Sequence, residues 1–134
     1  MSKFLLIFLF PLNFVFSFQV NLTDENPTFI KAGDITRVDV VLTNPSTDSI
    51  VVTSKIDSDQ FIVPIINGQT FTINSRSQDV LSFYLSVNKK IPVGTHEVTF
   101  RFYNSSYNYY VKKELIVKEK ETISWWSPLF KLFL

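Results

Sequence analysis

The sequence predicts an all-β domain, an antiparallel sandwich of seven to eight strands. After residue 17, apolar side chains recur with the period of two that strands show, not with the 3.6 of a helix. Turn-forming clusters separate these segments at intervals of about eight to twelve residues, a spacing typical of sandwiches and barrels. Most segments have one apolar and one polar face, which favours antiparallel sheets packed on one side.

The strand segments follow one another along the chain with clear alternation, as in Val38, Val40 and Leu42. Pro64 cannot donate a backbone hydrogen bond, so the segment around it is predicted to lie at a sheet edge. The predicted strands cover residues 18–22, 37–42, 50–56, 61–65, 69–73, 81–87, 98–103 and 109–118.

Residues 1–17 have the three-part layout of a secretory signal peptide. Lys3 precedes an apolar run at residues 4–10, and Val15 and Ser17 suit cleavage after Ser17. An uncleaved anchor is the alternative, but a bilayer core needs about 20 apolar residues and Pro11 interrupts this shorter stretch. A buried strand of the fold is a third interpretation. We expect a cleaved signal and an extracytoplasmic chain: secreted, periplasmic, lumenal or on the cell surface.

Composition excludes several classes of function. The chain has no cysteine, so it has neither a disulfide framework nor a thiolate metal site. Of its 13 Lys and Arg residues one is Lys3, so removal of the signal leaves 12 basic residues against 12 acidic ones. This balance does not fit a nucleic-acid partner, because phosphate binding requires a basic excess.

No cofactor and no metal site are predicted. Three glycines supply no phosphate-binding loop. Asp57 and Asp59 lie two residues apart and calcium prefers grouped carboxylates, but aspartate is common in turns because of its own local hydrogen bonds. The chain is predicted not to be an enzyme, because His96 is its single histidine and nothing around it suggests an activated nucleophile.

Three turn motifs carry a family resemblance over residues 29–118. Lys31-Ala32-Gly33-Asp34 precedes a strand that ends in Leu42-Thr43-Asn44-Pro45-Ser46, and Ile91-Pro92-Val93-Gly94-Thr95 leads into a later strand. This arrangement resembles immunoglobulin-like domains of the cell-surface and alpha-galactosidase-associated type. Phe61-Ile62-Val63-Pro64 also resembles the major-sperm-protein and related immunoglobulin-like group, and both groups remain open. The resemblance implies an immunoglobulin-like sandwich, with His96 where the family often has tyrosine, and it supports the fold more than any function.

A group of tyrosines surrounds the last predicted hairpin: Tyr103, Tyr107, Tyr109 and Tyr110. Exposed tyrosine suits recognition of proteins or sugars, so these residues are candidates for partner binding. The alternative is that they pair across the strands and stabilise the hairpin. Asn21 and Asn104 begin sequons for N-glycosylation, and a glycan on Asn104 would compete with a protein interface at this tip.

Residues 121–134 form an aromatic tail beyond the predicted sandwich of residues 18–120. The ten residues from Trp125 onwards reach about 15 Å as a helix, too short to span a bilayer core of about 30 Å. Residues 123–134 are predicted to lie at a membrane interface or to dock on a partner, with packing on the chain's own sandwich or disorder as alternatives. The candidate contact residues are Trp125, Trp126, Leu129, Phe130 and Phe133.

These observations predict a non-catalytic extracytoplasmic module for interaction, adhesion or assembly. Its tail would hold it at a membrane or at a larger protein assembly. The alternative function is a carbohydrate-binding module that stacks sugars on its exposed tyrosines.

Overall fold

The computed structural model describes residues 18–119, which form nine β-strands. Eight strands coincide with predicted segments, and the ninth, β2, has only two residues, too few for a period of two to show. No helix among these residues is long and apolar enough to cross a membrane. The strands are β1 Gln19–Leu22, β2 Phe29–Ile30, β3 Ile35–Asn44, β4 Ile50–Asp57, β5 Ile62–Pro64, β6 Thr70–Ile73, β7 Ser77–Val87, β8 Gly94–Tyr103 and β9 Asn108–Val117.

The strands form two sheets. The four-stranded sheet has the order β1-β3-β7-β5, and the five-stranded sheet has the order β2-β9-β8-β4-β6. Strand β5, which contains Pro64, lies at an edge, as its proline requires. Neighbouring strands are antiparallel except β2 and β9, which pair in parallel through Phe29 with Ile116 and Ile30 with Val117. The predicted all-β antiparallel sandwich is confirmed, with this one parallel pair and one additional short strand.

The hydrophobic core lies between the inner faces of the two sheets. The ring of Phe83 on β7 packs between the sheets, 5.4 Å from that of Phe100 and 5.8 Å from that of Phe102. Full burial of one such side chain stabilises the fold by about 1.5–3 kcal/mol. Alternate residues of β3 and β8 supply much of this core and are 0% exposed: Val38, Val40, Leu42, Val98, Phe100 and Phe102.

Asn44 at the end of β3 is fully buried and organises the neighbouring turns. Its Oδ1 accepts hydrogen bonds from the backbone N of Ser46 at 3.1 Å and from the Ser46 hydroxyl at 2.7 Å, so it starts the turn. Its Nδ2 lies within hydrogen-bond distance of three carbonyl oxygens, those of Asp48 at 2.8 Å and of Ile73 and Asn74 at 3.1 Å. One amide thereby joins the β3–β4 turn to the chain segment that follows β6.

The described chain enters at one end of the sandwich and leaves at the other. The tip end contains Phe18 and the β3–β4 and β8–β9 turns; the exit end contains the β2–β3, β4–β5 and β7–β8 loops and Glu119. Strand β8 runs between them, with Gly94 opposite Val117 at the exit end and Tyr103 opposite Asn108 at the tip end. At about 3.3 Å per residue this strand spans roughly 30 Å.

Candidate functional site

The structure divides the four predicted tyrosines into two groups on different faces. Tyr107 and Tyr109 are partly buried and stack on each other with ring centroids 5.8 Å apart. Both contact the buried ring of Phe18, at 5.8 Å for Tyr107 and 5.5 Å for Tyr109. These contacts stabilise the tip end and leave both rings partly exposed.

Tyr103 and Tyr110 lie on the outer face of the five-stranded sheet, on either side of Arg101. The guanidinium of Arg101 lies 4.3 Å from the ring centroid of Tyr103 and 5.9 Å from that of Tyr110. Its Nε donates a 2.7 Å hydrogen bond to Oδ1 of Asn108. Tyr110 is 55% exposed, so this arginine–tyrosine surface faces solvent with its cation held in place.

Arg101 is the residue of this surface that sequence reasoning missed. It lies opposite Lys55 on β4, and among the described residues it makes no ion pair. Like charges facing each other across a sheet are unfavourable, so the pair suits an acidic partner. Its position between two tyrosines follows from the β8–β9 register, which pairs it with Tyr110, and the linear sequence does not show that register.

The two sequon asparagines occupy different settings at the tip end. Asn21 is exposed on β1, a strand at the edge of its sheet. Asn104 is half-buried in the β8–β9 turn, where its Nδ2 donates to the Val51 carbonyl at 2.9 Å. Its Oδ1 accepts from the backbone N of Ser106 and of Tyr107, both at 2.8 Å. The side chain of Asn104 therefore also shapes its turn, whereas that of Asn21 is exposed on its strand.

His96 is buried at the exit end, where it joins two loops. Its Nδ1 lies 2.5 Å from Oδ2 of Asp59 in the β4–β5 loop, and its Nε2 lies 2.8 Å from the carbonyl oxygen of Pro92 in the β7–β8 loop. Burial disfavours the charged ring, but the hydrogen bonds to Asp59 and Pro92 and the negative charge of Asp59 outweigh it and raise the pKa of His96. Since both ring nitrogens face acceptors, the protonated imidazolium fits this site best.

This geometry does not suit catalysis. A histidine that acts as a general base needs a free ring nitrogen facing a nucleophile, and here Nε2 is engaged by the Pro92 carbonyl. Ser58, the nearest serine in sequence to Asp59, donates instead to the carbonyl of Ile62. Among residues 18–119 no three His, Cys, Asp or Glu side chains come together as a metal site.

An open apolar groove of about 970 Å³ lies at the exit end, beside the point where the chain leaves the sandwich. We call it the lysine groove. Its apolar wall includes Phe29, Ile91 and Val93, and its rim carries Lys31, Lys89 and Lys118. The contact of His96 with Pro92 holds the segment between Ile91 and Val93, so the histidine braces one wall of the groove. Sequence reasoning missed this site because its residues come from three separate segments.

The remaining predicted site residues lie outside the described part of the chain. These are the tail residues Trp125, Trp126, Leu129, Phe130 and Phe133, together with the predicted signal segment 1–17. The structure neither tests nor replaces these predictions.

No protein-family model matches the chain, and no curated protein matches its sequence. Its fold is similar to that of solved structures, among them Escherichia coli alpha-2-macroglobulin, with a TM-score of 0.62, 11% identity and coverage of 75% of this chain. A FixG-related protein from Vibrio parahaemolyticus gives a TM-score of 0.57 at 11% identity and covers 77% of this chain and 96% of its own. A family 123 glycoside hydrolase from Clostridium perfringens gives 0.55 at 7% identity over 75% of this chain and 27% of its own.

The chain spans about 6% of the length of the macroglobulin that it resembles. At such low identity these likenesses concern the fold alone. Together with the two-sheet topology they define the chain as an immunoglobulin-like β-sandwich domain, the class that the sequence predicted. They lend no support to carbohydrate binding.

Proposed function

We propose that this chain is a non-catalytic, extracytoplasmic interaction module that its tail, residues 121–134, holds at a membrane surface. One observation carries the proposal: the described chain enters the sandwich at the tip end and leaves it at the exit end, about 30 Å away along β8. A sandwich tethered through its exit end presents its tip end, and with it the arginine–tyrosine surface, away from the tether.

The position of Phe18 is compatible with export and cleavage after Ser17. Phe18 is only 2% exposed, and β1 begins at the next residue. Cleavage after Ser17 would therefore leave Phe18 and the whole of β1 in the mature chain. An anchor at residues 1–17 would instead tether the tip end, and the arginine–tyrosine surface would then face the membrane.

The arginine–tyrosine surface supports the role in interaction. Tyr103 and Tyr110 offer apolar faces with polar edges, and Arg101 offers guanidinium donors that no carboxylate of the described residues engages. Such a combination suits a protein partner with an acidic side chain.

Membrane fractionation of the full chain and of a chain lacking residues 121–134 tests the proposal. We expect the full chain to sediment with membranes and the shortened chain to remain in the supernatant. The Tyr110→Ala variant is the control: it alters the far end of the sandwich and should sediment like the parent chain. An unchanged distribution after the deletion contradicts the proposal. If deletion releases the chain but protein-free vesicles do not bind the full chain, the tether is a protein and the membrane proposal is wrong.

A further inference from the structure

The lysine groove combines an apolar wall with a cationic rim. Phe29 and Val93 stay 53% and 60% exposed at its mouth, although both are large apolar side chains. Lys31, Lys89 and Lys118 surround them, and no acidic side chain of the described residues lines the groove. Exposed apolar surface bordered by one sign of charge marks a place where an amphiphilic ligand of the opposite charge can bind.

Two of the three lysines are held in position by specific contacts. Nζ of Lys118 lies 3.9 Å from the ring centroid of Phe29, a cation–π contact at the mouth of the groove. The stem of Lys89 lies along Gly33, where a β-carbon would come within 3.2 Å of its Cγ. Gly33 has a φ of 85°, so the loop places a residue without a side chain where the lysine stem passes. Each contact positions one lysine at the rim.

The rim lysines have no anionic partner within the described chain. The ion pairs among residues 18–119 join Arg37 with Asp39, His96 with Asp59 and Lys112 with Glu97, and none involves a rim lysine. Three cations around one apolar mouth repel one another, and an external anion would relieve that repulsion. A ligand that complements this site would therefore carry an anionic group on an apolar body.

We infer that the lysine groove binds the anionic headgroups of a lipid bilayer, with Phe29 and Val93 meeting the apolar region beneath them. The inference rests on the proposed function, because the groove lies where Lys118 and Glu119 lead into the tail. A membrane that binds the tail would also lie against the exit end of the sandwich, where the groove is. Near an anionic membrane each lysine contributes about 1 kcal/mol, roughly a fivefold gain in affinity.

Binding of the full chain to vesicles tests the inference. One set of vesicles is phosphatidylcholine alone, and the other is phosphatidylcholine mixed with phosphatidylglycerol. The double variant Lys89→Gln/Lys118→Gln should bind the anionic vesicles at least about tenfold more weakly than the parent, because two headgroup contacts are lost. The variant Lys55→Gln/Lys112→Gln, with the same change of charge on the outer sheet face, should stay within about threefold of the parent.

Val93 and Val80 test the apolar wall with a matched pair. Val93 lies in the β7–β8 loop at the groove and is 60% exposed, and Val80 lies on β7 in the four-stranded sheet and is 59% exposed. We expect Val93→Ser to weaken vesicle binding and Val80→Ser to leave it unchanged. Equal effects within either matched pair would overturn the inference.

Tryptophan fluorescence measures membrane contact of the tail separately from that of the groove. It therefore distinguishes failure of the groove inference from failure of the proposed function. Both tryptophans of the chain, Trp125 and Trp126, lie in the tail, so tryptophan emission is a signal of the tail alone. A blue shift on vesicles together with groove variants that bind like the parent would retain the proposed function and reject the groove inference. No blue shift and no binding would reject both. Lysine-dependent binding of a poly-glutamate peptide without vesicle binding would assign the groove to acidic protein segments and also reject the lipid inference.

Discussion

Nδ1 of His96 lies 2.5 Å from Oδ2 of Asp59, and this contact fastens β8 to the loop between β4 and β5. Nε2 of the same ring lies 2.8 Å from the carbonyl oxygen of Pro92, so one side chain joins three segments of the exit end. Pro92 stands between Ile91 and Val93 of the lysine groove, so the ring of His96 also holds the backbone of one groove wall.

The His96–Asp59 pair predicts a stability that falls at alkaline pH. The folded pKa of His96 is raised above its ordinary 6.5, so its contribution is complete below that pH and is lost as the pH rises through the folded value. Burial raises the pKa of Asp59, but hydrogen bonds from His96 and Phe61 and the His96 charge outweigh it and lower that pKa below 3.8, so its contribution is lost only in acid. The urea midpoint should therefore be lower at about pH 8.5 than at about pH 6. His96→Gln should reduce this difference between the two urea midpoints. An equal difference in the parent chain and the variant would contradict the role given to the His96–Asp59 pair.

The buried amide of Asn44 predicts a large penalty for a one-atom change. In Asn44→Asp the NH₂ group becomes a carboxylate oxygen that faces the carbonyls of Asp48, Ile73 and Asn74. A buried donor replaced by a charge facing acceptors should destabilise the fold by about 3 kcal/mol or more, measured by chemical unfolding. Asn88→Asp is the control, since exposed Asn88 uses only its Oδ1, to accept from the backbone N of Lys90, and an aspartate keeps that acceptor. Equal losses in the two variants would refute the role of the buried amide.

The sequence predicted local features well and long-range relationships poorly. Alternation sets which face of a strand is apolar, so the inward direction of Val38 and Phe100 was predictable. The turn at Asn44 was also predictable, because its bond to Ser46 spans two residues. The contact of His96 with Asp59 spans 37 positions and depends on how the two sheets are connected, which one sequence does not determine.

The predicted tyrosine cluster also depends on a feature that residue spacing does not show, namely the direction of each side chain. Four tyrosines within eight residues looked like one cluster, but alternate residues of a strand point to opposite faces. Tyr109 therefore packs inward on Phe18, while its neighbour Tyr110 lies beside Arg101 on the outer face. Tyrosine spacing alone does not decide which of the two faces meets solvent.

The expected cleavage after Ser17 predicts where the exported chain begins, and the burial of Phe18 predicts what its loss would cost. Mass spectrometry of the exported protein should find Phe18 as its N-terminal residue. Phe18→Ala should destabilise the domain by about 3–5 kcal/mol, because the ring contacts Tyr107 and Tyr109 in the core. Phe29→Ala provides the comparison: Phe29 is 53% exposed, and its removal should cost less than about 1 kcal/mol. Retention of residues 1–17 in the exported protein would contradict the cleavage prediction and favour an anchor.

Alanine substitutions at Gly33 and Gly68 should have similar effects on stability but different effects on membrane binding. Both have positive φ, 85° and 76°, so an alanine at either position should destabilise the fold by about 1–2 kcal/mol through backbone strain. Only Gly33 has a neighbour: its new β-carbon would lie 3.2 Å from Cγ of Lys89, whereas that of Gly68 would meet nothing within 4 Å. Thermal unfolding should therefore give similar losses for Gly33→Ala and Gly68→Ala. Binding to anionic vesicles should weaken only in Gly33→Ala, because the exposed stem of Lys89 can move aside but then no longer holds its charge at the groove. Equal vesicle affinities for the two variants would show that the position of Lys89 has no bearing on binding.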